Sequence, residues 1–153
     1  MDWHIVPMTT EYAREMSLWK YGGEYSFYDG NGQTDYPEGE AFACLDETGS
    51  LAGHFHFGED ARIPTVEENV YAPGYLDIGL GLRPGLCGQG LGEEFLKLGL
   101  AFGKAQFSAR QFRLSVACFN LRAVKVYERC GFVVKCEVTN SYFKNRFYIM
   151  TKD

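Results

Sequence analysis

The sequence predicts an α/β fold, a single domain on a mixed sheet, from three observations. Seven segments show the alternation of apolar and polar residues, or the short apolar runs, that strands require. Stretches of helical period stand between them. Twice in the second half a strand leads straight into a helix, the first time through a turn crowded with glycine.

Trp3 to Val6 reads as a short strand closed by Pro7, and Thr9 and Thr10 are N-cap candidates for a helix running to about Lys20. An aromatic stretch from Trp19 to Tyr28 gives way to a loop punctuated by Gly30, Gly32, Pro37 and Gly39. Glu40 to Asp46 and Leu51 to Gly58 form a hairpin around Glu47 to Ser50. In its second arm Leu51, Gly53, Phe55 and Phe57 share one face, and Ala52, His54 and His56 share the other. Residues 59–74 read as a polar loop, and Tyr75 to Leu82 as the next strand. From about Gly90, the spacing of Leu91, Phe95, Leu98 and Phe102 marks an amphipathic helix. Gln111 to Cys118 is a strand, and Asn120 to Cys130 a helix that Gly131 stops. Phe132 to Val138 and Ser141 to Thr151 close the sheet. No repeat or linker interrupts residues 1–153, and this length supports one core.

Composition narrows the function. The net charge is −5 and no lysine or arginine cluster stands out, which argues against a nucleic-acid partner. No run approaches the roughly 20 apolar residues of a membrane span. Met1 to Met8 lacks the basic start and apolar stretch of a signal peptide, so a soluble, cytoplasmic protein is expected. The five cysteines form no Cys-x-x-Cys pair and read as reduced thiols. His54 and His56 lack an obvious third ligand, so no metal is expected. The aromatic share of 16% points to a ring-rich core or a ring-lined pocket.

The segment Leu82-Arg83-Pro84-Gly85-Leu86-Cys87-Gly88-Gln89-Gly90-Leu91-Gly92 carries the most chemistry. Glycines at alternate positions let backbone N–H groups approach an anion. The first turn of the following helix adds unpaired donors and the positive end of its dipole. Taken alone, the same pattern also suits a flexible turn. It lacks the Gly-Lys-Ser/Thr of a Walker loop and the G-x-G-x-x-G of a dinucleotide fold. Farther on, Asn120, Ala123, Tyr127, Gly131 and Phe132 stand in the order N-x-x-A-x-x-x-Y-x-x-x-G-F. An Asn opening a helix caps it or reaches a ligand amide, and a Tyr two turns on can donate a proton.

The two motifs, one helix and one strand apart, resemble the GNAT superfamily of N-acetyltransferases from about Tyr75 to Phe132. The resemblance implies a mixed sheet of about seven strands with about four helices. It also implies two central parallel strands splayed to hold the pantetheine arm of CoA. Acetyl-CoA is then the cosubstrate, with Leu80 and Leu82 beside the arm and the pyrophosphate on Gly88, Gln89, Gly90, Leu91 and Gly92. Cys87 stands where the family places a Gln or Arg that contacts phosphate. Asn120 is expected to bond the pantetheine, and Tyr127 to protonate the departing sulfur. Asp77 is the candidate base, with the His54/His56 pair as its rival, because Ser115 stands where some relatives carry a Glu. Tyr25, Tyr28 and His56 are the candidate contacts to the acceptor, a small-molecule or peptide amine. A homodimer is compatible with this reading, and a non-catalytic acyl-CoA sensor is its alternative.

Overall fold

The computed structural model describes residues 2–153; Met1, counted in the expected domain, lies outside the described residues. The strands are β1 (His4–Pro7), β2 (Ala41–Leu45), β3 (Leu51–Phe57), β4 (Leu76–Leu82), β5 (Phe112–Ala117), β6 (Val133–Thr139) and β7 (Arg146–Lys152). The α-helices are α1 (Thr10–Met16), α2 (Gly92–Phe107) and α3 (Leu121–Arg129), and a six-residue 3-10 helix, Gly23–Tyr28, follows α1. One seven-stranded sheet runs β1-β2-β3-β4-β5-β7-β6. Each neighbouring pair is antiparallel except the central β4–β5 pair.

Local chemistry sets the ends of the elements. Thr9 caps α1 by accepting the Tyr12 N–H at 3.2 Å. The helix stops at Met16, short of Lys20, because the backbone tightens into 3-10 bonds, Leu18 to Glu15 and Trp19 to Met16. The last strand opens at Arg146 and not at Ser141. Asn140 Oδ1 accepts the N–H groups of Tyr142 and Phe143, each at 2.9 Å, and folds the intervening residues into a turn. The loop expected over residues 59–74 begins with a 3-10 turn, Gly58–Ala61.

The alternation of strand residues gives the sheet two unlike faces. Phe55, Phe57, Ile78, Phe112, Leu114 and Val116 point to one face and form the main core beneath α2. The buried stripe of α2 is Phe95, Leu96, Gly99, Leu100 and Gly103, rotated from the expected Leu91/Phe95/Leu98/Phe102 stripe. The strand aromatics explain the rotation. A Cβ on Gly99 would lie 2.4 Å from the Phe55 ring, and one on Gly103 would lie 2.8 Å from Phe112. The helix therefore turns its smallest residues to the sheet and lets the rings fill the space. The other face carries His54, His56, Asp77, Arg113 and Ser115, and it bears the site.

Between β4 and β5 only two rungs form, Leu76 with Phe112 and Asp77 with Arg113. Beyond them the strands part. β4 stays paired to β3 from Ile78 to Leu82, so its opposite edge lines an open wedge. Backbone direction in a strand repeats every two residues. The Leu76 N–H goes to Gln111 on the β5 side, the Arg83 N–H goes to Ala52 on the β3 side, and the Leu82 carbonyl accepts from Tyr21. The N–H and C=O groups of Ile78, Leu80 and Leu82 consequently face the wedge.

Candidate active site

At the apex of the wedge Asp77 is almost fully buried, 2% exposed, and held by two guanidinium groups. Arg113 donates from Nε to Oδ1 at 2.6 Å and from Nη2 to Oδ2 at 2.9 Å, while Arg62 Nε donates to Oδ2 at 2.9 Å. Arg113 is sealed in turn by the Ala72 carbonyl and by the Tyr71 and Tyr75 rings. This corrects the expectation that Asp77 serves as a base. Two guanidinium groups occupy its oxygens, and no face is left for an amine. Asp77 instead pins the last rung before the strands separate.

At the open end lies the glycine loop. Gly88 and Gly90 take φ of +75° and +76°, a backbone turn that favours residues without a Cβ. Leu91 stands at the N-cap of α2 and offers the first turn no side-chain acceptor. Gln89 Nε2 donates to the Gly85 carbonyl at 2.5 Å and braces the loop. Cys87 faces inward, its thiol directed at the Arg83 and Leu82 carbonyls, and burial pushes its pKa up against the pull of Arg122. A positive charge does stand beside the loop, on α3. Arg122 Nη1 would lie 3.4 Å from a Cβ on Gly88, and its guanidinium stacks over the Tyr25 ring at 4.6 Å.

α3 starts beside this loop. Asn120 Oδ1 caps it by accepting the Ala123 N–H at 3.2 Å, and its Nδ2 donates to the Tyr28 hydroxyl at 3.1 Å. Tyr127 packs against Phe132 and the main core. Burial, with a smaller contribution from Tyr28, drives its pKa far upward, so it stays a neutral phenol able to donate a proton.

A cavity of about 180 Å³ opens on the polar face, lined by Trp19, Tyr21, Tyr28, Asp29, Tyr36 and His54, among others. Two of its walls reach the wedge. The Tyr21 hydroxyl donates to the Leu82 carbonyl at 2.7 Å, and the Tyr28 hydroxyl accepts from Asn120. Asp29 Oδ1 accepts the Tyr21 N–H at 2.7 Å, which ties the floor together and puts a carboxylate among the rings. His54 lies over β4 because Gly81 makes room for it: a Cβ there would sit 2.4 Å from His54 Nε2.

Of the expected acceptor contacts, Tyr28 lines this cavity. Tyr25 does not, being committed to Arg122 and Phe119. His56 stands one ring behind, and His54 takes the cavity position. Sequence reading missed Arg122, Tyr36 and Asp60. A lone arginine at a helix start carries no pattern, and Tyr36 and Asp60 lie in loops whose course depends on the rest of the fold.

Comparison with known proteins bears on the fold and the family. The family model described as the Acetyltransferase (GNAT) family matches residues 6–132. No curated relative matches the sequence. A chimera of the spermidine N-acetyltransferase SpeG from Vibrio cholerae with hSSAT is similar in structure, with a TM-score of 0.72 at 15% identity, covering 99% of this chain and 95% of that one. A mutant spermidine/spermine N-acetyltransferase SpeG from Vibrio cholerae gives 0.70 at 16% identity, over 98% and 93% of the two chains. The ribosomal-protein-S5-alanine acetyltransferase of Vibrio fischeri gives 0.65 at 12% identity, over 99% and 93%. At such identities the structures share the fold, and the family match covers most of the chain: the protein belongs to the GNAT family of acetyltransferases, whose enzymes use acetyl-CoA as cosubstrate.

Proposed function

We propose that this chain transfers the acetyl group of acetyl-CoA to the primary amine of a small molecule by direct attack. The observation that carries the reading is the continuity of wedge and cavity. The open edge of β4 leads from the glycine loop toward the apex, and a ring-lined cavity meets it at Gly81 and Leu82, where Tyr21 bonds the Leu82 carbonyl while Tyr28 bonds Asn120 at the start of α3.

Each group then has a task. The pyrophosphate rests on the N–H groups of Gly88, Gln89, Gly90, Leu91 and Gly92, with Arg122 adding charge. The pantetheine pairs, as a strand would, with the open edge at Ile78, Leu80 and the Leu82 N–H, the Leu82 carbonyl being held by Tyr21. Asn120 turns its amide from Tyr28 to the ligand, and the Leu80 N–H faces the thioester oxygen as charge develops there. Tyr127 protonates the departing thiolate. In the cavity, the faces of Trp19, Tyr21, Tyr28 and Tyr36 and the Asp29 carboxylate suit a cationic amine. A volume of about 180 Å³ admits a slender amine or the tip of a longer one and is below the roughly 300 Å³ of ordinary ligand pockets. The spermidine acetyltransferases among the structural neighbours are consistent with this class of acceptor.

The test is release of free thiol from acetyl-CoA across a panel of primary amines, with the acetylated product identified by mass. Acceleration by alkyl amines is expected. If CoA raises the thermal midpoint while no amine accelerates release, the chain is a non-catalytic acyl-CoA-binding module and the proposal fails.

A further inference from the structure

Behind the cavity runs a chain of three side chains that the transfer reaction, as described so far, does not use. His54 Nδ1 lies 2.9 Å from His56 Nε2, and His56 Nδ1 lies 2.5 Å from Asp60 Oδ2. The Asp60 N–H donates to Glu40 Oε1 at 3.0 Å, which fixes the far end of the chain. The Trp19 ring packs against His54 at 6.0 Å and the Tyr36 ring against His56 at 5.3 Å, so both imidazoles are held in place.

We infer that His54 Nε2 takes the proton from the acceptor ammonium, with His56 and Asp60 as positioning residues that keep this nitrogen bare. The inference rests on the acetyl-transfer reading above. Its logic is the inventory of donors. An ionised carboxylate only accepts, so the proton between Asp60 and His56 belongs to His56 Nδ1. A neutral His56 then has a bare Nε2, which must accept a proton from His54 Nδ1. That leaves the lone pair of His54 on Nε2, beside Gly81 and the cavity. A network built only for packing needs no such end. This one terminates in an unprotonated nitrogen where the strand has given up its side chain.

The groups facing His54 are His56 on its own strand, Asp60 and Glu40 behind, and Tyr21, Tyr28, Asp29 and Tyr36 around the cavity. Burial first, and His56 second, hold the His54 pKa well below the usual histidine range, so the ring is unprotonated at neutral pH. A proton arriving at Nε2 releases the one on Nδ1 to His56, and the positive charge moves toward the Asp60 carboxylate. The reaction balances. The C–N bond forms as the C–S bond breaks, and the ammonium loses two protons. One leaves through the His54 chain to solvent, and the other replaces the proton that Tyr127 gives to the sulfur.

The experiment compares wild type with His54→Gln on two acceptors: an alkyl amine, charged at pH 7, and a hydrazine- or aryl-type amine, already neutral. With the alkyl amine the variant should lose about 10²- to 10⁴-fold in kcat, with the acetyl-CoA KM unchanged. With the neutral amine it should lose little. Asp60→Asn should lower kcat for the alkyl amine while sparing both KM values. In the wild type, ¹⁵N spectra should show His54 Nε2 as the bare nitrogen, with the exposed His4 as reference. A protonated Nε2, or a His54→Gln enzyme that keeps its alkyl-amine rate, overturns the inference and leaves the acetyl-transfer reading intact. A wild type that acetylates no amine overturns both.

Discussion

Asp77 and Asp60 are two carboxylates on the same side of one sheet, and their partners give them opposite roles. Asp77 is shut at 2% exposure between Arg113 and Arg62. Asp60, with 13% of its side chain exposed, faces an imidazole that leads through a second imidazole to the cavity. Guanidinium partners never release a proton, so the Asp77 cluster acts as a clamp on the wedge. An imidazole nitrogen can take up or give up a proton, so under the inference above the Asp60 cluster is a conduit. A carboxylate at the start of the splayed strand looks like a base in sequence, and only its neighbours show otherwise.

The comparison breaks most visibly at Asp77. Asp77→Asn leaves Arg113 buried with too little negative charge beside it, and stability should fall by about 3 kcal/mol. Chemical denaturation reads this directly, and the molecules still folded should keep their kcat. A variant that is stable and dead would make Asp77 the base after all. Next in size is Tyr127→Phe, which should cut kcat by about 10²-fold without changing acetyl-CoA affinity. Equal losses in both would mean a structural tyrosine. Arg122→Ala should weaken CoA binding by about tenfold in calorimetry, about 1.4 kcal/mol, whereas Cys87→Ala should leave it unchanged. The reverse order would return the phosphate contact to Cys87.

The smallest effect is on stability against pH. His54 has a folded pKa depressed below its ordinary 6.5, so the unfolded chain binds the extra proton first. Stability should therefore decline as pH falls below about 6.5, by at most about 1.4 kcal/mol per pH unit, and be free of this term above it. His54→Gln should remove that slope. An unchanged slope would place the effect elsewhere.

The groups proposed to face CoA could be read from the sequence because they are encoded locally. The loop from Leu82 to Gly92 and the helix from Asn120 to Tyr127 each carry their chemistry in consecutive turns, and the structure sets them side by side. The proposed acceptor half was legible only in its aromatic stretch, where Trp19 and Tyr28 lie, because the rest is assembled from distant segments. Trp19, Tyr28, Tyr36 and His54 meet only when the residues between α1 and β2 fold across β3 and β4. The alternation of β3 did place His54 and His56 on the polar face, but period alone could not tell which ring reaches the cavity. The phase of α2 was misjudged for a related reason. Gly99 and Gly103 look like weak points of a helix until Phe55 and Phe112 are seen to fill them.

A structure with CoA bound tests the central claim most directly. The account predicts the pyrophosphate on residues 88–92 with Arg122 within reach, the pantetheine along Ile78 to Leu82, and the sulfur between Tyr127 and the cavity that holds His54. A pyrophosphate away from the glycine loop, or a sulfur that emerges far from His54, would contradict it.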